Sequence, residues 1–210
     1  MDKQAKSLAL FVAGIVTIWT VRITLLHGFE MQFPTTWQRI GVSTVFRILF
    51  LLVPVILYVK LIDRENVLRS LRLAKPSISW ISGTVIVCIT WQFAALWLGF
   101  DEIGPKVFRS TAAGVVAAPF IEEVLSRGFA LSHAQRFTTF WNANILSALF
   151  FVALHVPAWL MVEGLGAAEL ARGSLWIFCF GLAMGYLLKL SNTLWVPIIA
   201  HAANNFISAV

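Results

Sequence analysis

Seven apolar runs divide the chain, at about residues 8–26, 40–62, 77–99, 111–134, 142–162, 174–190 and 193–209. Each is close to the 17–25 residues, roughly, that a helix needs to cross a hydrocarbon core of about 30 Å at about 1.5 Å per residue. Lipid offers backbone groups no hydrogen-bond partner, so a spanning segment must satisfy its own, and a helix does so. The runs therefore predict an all-α, polytopic membrane bundle of about seven transmembrane helices, forming a single integral membrane domain over 1–210. Composition supports this. Hydrophobic residues make up 59% of the chain and charged residues 12%, against about 45–50% and about 25% in soluble domains. No Pro/Gly/Ser-rich linker, low-complexity tract or internal repeat is visible.

The net charge of +6 would suggest nucleic-acid binding in a soluble protein. Here the basic residues sit between apolar runs, where they set topology and meet anionic lipid, and no nucleic-acid motif accompanies them. With the N-terminus cytoplasmic, Lys3, Lys6, Lys60, Arg64, Arg69, Arg72, Lys75, Arg136 and Lys189 face the cytoplasm, and Arg39, Lys106, Arg109 and Arg172 face away. Nine against four predicts N-terminus in and C-terminus out. Arg22, Arg47 and Arg127 fall inside spans and do not enter that count. The first run is too long for a signal peptide and reads as a retained anchor. Trp37, Trp80, Trp97, Trp141, Trp159, Trp176 and Trp195 lie near span ends, as interfacial indoles do. The segment DRENVLRSLRLAKPS (63–77) reads either as an amphipathic helix on the membrane surface or as a solvated loop. Cys88 and Cys179 lack metal-ligand spacing and read as small packing residues.

Ionisable side chains within spans are expensive and usually face a bundle interior or a wet cavity. Glu122, Glu123, His155 and His201 are of this kind, with Asn205 as a further strong polar group. Glu123 and Arg127, four apart, share a helix face and can pair. Glu122 points about 100° away, lacks that local partner, and is free to face a cavity. Pro157, two residues after His155, weakens the local helix and can open space there. His201 and Asn205 share a face after Pro197. Counting helical rise from the cytoplasmic ends puts Glu122, His155 and His201 roughly 18, 20 and 12 Å deep, as one shared polar pocket requires.

EEVLSRG (122–128), FVALH (151–155) and HAANN (201–205) resemble the EExxxR, FxxxH and HxxxN motifs of the CAAX protease and bacteriocin-processing family of intramembrane proteases. The resemblance covers a motif-bearing core from about residue 110 to 210. One departure is Ser126, where many members carry phenylalanine. The resemblance implies Glu122 as the base that activates water, His155 as a holder of that water, and His201 with Asn205 as the oxyanion pair. Glu123 and Arg127 become structural support. It implies a membrane-anchored protein substrate cut near its C-terminus, either a prenylated CAAX-type end or a C-terminal sorting signal. The preferred mechanism needs no cofactor. Zinc held by Glu122, His155 and His201 stays open, since a glutamate and two histidines also form a zinc donor set. Gly181 and Gly185 form a GxxxG that predicts close helix packing within the bundle. A proton-coupled transporter and a non-catalytic immunity or binding protein remain as alternatives: the first predicts flux dependent on Glu122, the second a function that survives Glu122→Gln.

Overall fold

The protein is described from a computed structural model covering residues 3–73, 78–97 and 113–208. Lys75, Lys106 and Arg109 of the topology count lie outside the described residues, as do the extreme edges of the third, fourth and seventh predicted spans. Among the described residues the structure is entirely helical. Seven long rods follow the predicted runs: α1 (Lys3–Met31), α2 (Thr36–Asp63), α4 (Ile78–Trp97), α5 (113–134), α6 (140–163), α7 (Ala167–Ser191) and α8 (Trp195–Ser208), with a single turn, α3 (Val67–Ser70), between α2 and α4. Among the described residues α1, α2, α6 and α7 are long and apolar enough to cross a bilayer. Helix α8 has 14 described residues, about 21 Å of rise.

The ends of these rods have local causes. At the start of α2 the Thr35 hydroxyl accepts from the Gln38 N–H, and the Gln38 side chain accepts from the Thr35 N–H, a reciprocal capping box. Arg64, Gly164 and Asn192 take left-handed φ values of 57°, 65° and 53° and end α2, α6 and α7. Wide π-helical turns interrupt α2 at Ile48–Leu52 and Tyr58–Asp63, α5 at Ala113–Ala117 and Val124–Leu131, and α6 at Trp159–Glu163. Each of these helices holds a proline, Pro54, Pro119 or Pro157. A proline lacks the N–H that would close the normal turn, so the ladder loosens beside it.

Packing is inside-out relative to a soluble protein. Leu10, Leu25, Ile78, Val87, Phe93 and Leu175 are exposed, which suits a surface solvated by acyl chains. Inside, Phe11 of α1, Tyr58 of α2 and Phe129 and His133 of α5 form one aromatic cluster with centroids 4.2–6.1 Å apart. Gly181 and Gly185 let α7 approach α5 and α6. A Cβ at Gly181 would stand 3.0 Å from the Ala148 Cβ and 3.1 Å from Arg127 Nη2, and one at Gly185 would overlap the Asn144 side chain. The GxxxG thus works within the bundle.

Part of the segment after α2 packs against the protein. Leu71 is 1% exposed. The Leu194 N–H donates to the Arg72 carbonyl at 3.1 Å, and the Trp195 indole to the Leu73 carbonyl at 3.2 Å. The Arg72 guanidinium donates to Gln135 at 3.1 Å, and burial pushes its pKa down. Residues 64–73 are therefore docked under the α7–α8 turn. Leu71 is buried in the core and Leu73 packs against it, while Leu68 of the α3 turn is exposed.

Candidate active site

Helix α5 places Glu122 and Glu123 side by side, facing different partners. Glu123 is fully buried, and its Oε1 accepts from Arg127 Nη1 at 3.1 Å and from His201 Nδ1 at 2.9 Å. Arg127 is fully buried too, with its guanidinium 4.4 Å from the centre of the Phe151 ring. The expected Glu123–Arg127 pair is present, and His201 joins it. Glu122, by contrast, is not without a partner: Arg47 Nη1 of α2 donates to its Oε1 at 2.7 Å. Its other oxygen, Oε2, is faced by His155 Nε2 and by His201 Nε2, each at 3.9 Å. Three helices far apart in sequence thus bring Glu122, His155 and His201 together at one depth.

Tautomers follow from the partners. The Phe151 carbonyl can only accept, so His155 Nδ1, 2.8 Å away, carries a proton and donates. Glu123, shared with Arg127, likewise makes His201 Nδ1 a donor. With Nδ1–H so engaged, an imidazole in its neutral form presents a lone pair at Nε2. Oε2 of Glu122 and the two Nε2 atoms are three acceptors turned toward one another, an arrangement that calls for a donor such as water between them. A cavity of about 170 Å³ opens here, walled by Trp19, Arg47, Glu122, His155, Trp159 and Glu163 among others. It has room for several waters, and it lies over the Pro157 region of α6, where the sequence predicted space.

Asn205 is placed differently. Its side-chain amide donates to the Gly114 carbonyl at 3.0 Å, and its oxygen faces the Asn204 amide at 3.5 Å. One amide hydrogen remains for another acceptor. Zinc would need closer ligand atoms than Glu122 Oε2 and the two Nε2 atoms. Tetrahedral bonds of about 2.0–2.1 Å hold ligand atoms roughly 3.3–3.4 Å apart, whereas these stand at 3.9 Å with a guanidinium already on Glu122. Among the described residues no group of three His, Cys, Asp or Glu side chains is close enough to share an ion. With these separations and Arg47 on Glu122, no step below runs through a metal.

Sequence reasoning missed three contributors. Arg47 sits inside an apolar run, and the test applied to the glutamates would have flagged it. Trp19 lies mid-span, unlike the interfacial tryptophans; its indole N–H donates to the Leu154 carbonyl at 2.9 Å and its ring lies 5.3 Å from the Arg47 guanidinium. Phe151, quoted within FVALH without a role, meets both catalytic-type imidazoles edge-on, at 4.7 Å from His155 and 5.7 Å from His201.

The fold and site together define a polytopic helical membrane protein with a buried carboxylate–imidazole centre. Residues 104–207, about half of the chain, match the family described as Type II CAAX prenyl endopeptidase Rce1-like. This C-terminal region belongs to that family, whose members are proteases that act on membrane-anchored proteins within the bilayer. No curated protein and no solved structure matched the chain. The long apolar helices and the family agree on an integral membrane protein.

Proposed function

We propose that this protein is an intramembrane endopeptidase that hydrolyses a peptide bond near the C-terminus of a membrane-anchored protein, with Glu122 as the base. The observation that carries the reading is Glu122 Oε2 facing two imidazole Nε2 atoms at 3.9 Å beside a cavity of about 170 Å³. A water held between these acceptors gives a proton to Glu122 as its oxygen forms a bond to the scissile carbonyl carbon, and the carbonyl π pair moves to oxygen. Collapse of the tetrahedral intermediate breaks the C–N bond, and the leaving nitrogen takes the proton from Glu122. His155 Nε2 holds the water. Glu123 and Arg127 orient His201. The oxyanion role implied for His201 needs an Nε2–H, which exists only in its imidazolium form because Nδ1–H is engaged by Glu123; Asn205 offers its remaining amide hydrogen. Residues 110–210 form the motif-bearing core of a single membrane domain, with the N-terminus cytoplasmic.

The test is Glu122→Gln in the full chain, in liposomes with a farnesylated CAAX peptide. The glutamine keeps the shape but accepts no proton, so cleavage should fall by about 10²–10⁴-fold at unchanged folded yield. Cleavage at the wild-type rate would reject the assignment.

A further inference from the structure

The oxyanion is the part of this chemistry that the histidines serve least well. Each histidine has its Nδ1–H engaged, by the Phe151 carbonyl and by Glu123, so a neutral ring at either position turns a lone pair and not an N–H to the space beside Glu122 Oε2. A tetrahedral oxyanion formed there needs preorganised donors. Arg47 lies against the same space. Its Nη1 donates to Glu122 Oε1 at 2.7 Å, its side chain is 28% exposed, and it lines the cavity with Glu122 and His155. Of its five N–H donors, one is engaged by a protein acceptor among the described residues.

The guanidinium is also held in place. Its Cζ stands 5.3 Å from the centre of the Trp19 ring, within cation–π range. The Trp19 indole is fixed by its 2.9 Å bond to the Leu154 carbonyl, one residue before His155. The same ring meets Arg22 on α1, with Cζ at 4.8 Å, and Arg22 is paired with Glu30 and with Ser43. Trp19 thus ties the position of Arg47 to the helix that carries His155. Both residues lie outside 104–207, the part of the chain that matches the protease family.

We infer that Arg47 is a catalytic residue, holding Glu122 through Oε1 and donating its remaining N–H groups to the oxyanion of the tetrahedral intermediate, with Trp19 as its positioning residue. The inference rests on the protease reading above. No proton leaves Arg47 in the step: water gives its proton to Glu122, the carbonyl π pair becomes the oxyanion lone pair, and the guanidinium bonds to that oxygen until the C–N bond breaks. The N-terminal helices then supply part of the catalytic centre.

The experiment compares wild type, Glu122→Gln, Arg47→Gln, Arg47→Lys and Arg47→Ala as full-length proteins in liposomes. The probe is a fluorogenic farnesylated CAAX peptide; kcat, KM and unfolding temperature are measured. Arg47→Gln should lose about 10²–10³-fold in kcat, as removal of an oxyanion donor does, with KM unchanged. Arg47→Lys should regain part of the rate, as a point charge without the planar fork. Added guanidinium ion should raise the rate of Arg47→Ala and leave wild type unaffected. Wild-type kcat in Arg47→Gln overturns the inference, and so does a loss that tracks unfolding and is restored by neither lysine nor guanidinium ion. An active Glu122→Gln, or a wild type that cleaves no anchored peptide, overturns the parent reading instead and takes this one with it.

Discussion

Two neighbouring glutamates in α5 have unlike surroundings, and the difference decides what each can do. Glu123 is sealed between Arg127 and His201 with no exposure. Glu122 keeps 13% of its side chain accessible at the cavity. Substituting the first should therefore act on stability and the second on chemistry. Glu123→Ala leaves the Arg127 guanidinium buried without its counter-charge, and breaking such a pair costs about 3–5 kcal/mol. Thermal unfolding in detergent should show a large drop for Glu123→Ala and little change for Glu122→Gln. Equal unfolding temperatures for the two variants would remove the division of labour. Much of this was legible from spacing: the i, i+4 relation predicts the Glu123–Arg127 pair, and the 100° step separates Glu122 from it. The Arg47 contact was not legible, because no local pattern links residues 75 positions apart.

At the scale of elements, the predicted runs and the observed rods coincide because length and hydropathy alone decide whether a segment can cross lipid. The segment 64–73 shows where that reasoning stops. Its alternating basic and leucine residues suit a membrane surface, water, or a protein surface equally well. The structure adds contacts with protein at Leu71, the Arg72 and Leu73 carbonyls and the α7–α8 turn, and leaves Leu68 exposed. Leu71→Asp would bury an unpaired carboxylate at that contact and should release the segment. Trypsin should then cut after Arg64, Arg69 or Arg72 faster than in wild type, in intact proteoliposomes with the segment outward. Wild-type resistance would show that the docking does not depend on Leu71.

Across the whole molecule, the candidate site draws on both halves of the chain: α5, α6 and α8 carry the three motifs, while α1 and α2 bring Trp19 and Arg47 to the same cavity. The excess of lysine and arginine on one side predicts the orientation of this assembly. A cysteine placed at Lys6, after replacing Cys88 and Cys179, should react with a membrane-impermeant thiol reagent only from the cytoplasmic face; labelling from the opposite face would invert the topology. Hydropathy by itself determined that this chain is a helical membrane protein, and spacing determined that Glu123 and Arg127 share a helix face, because both depend on a helical repeat that acts locally. Only the tertiary structure decided that Arg47 neutralises Glu122, that His201 bridges the two glutamates, and that the basic loop docks on protein. Those outcomes depend on which helix faces pack together, and packing between distant segments leaves no periodic trace in the sequence.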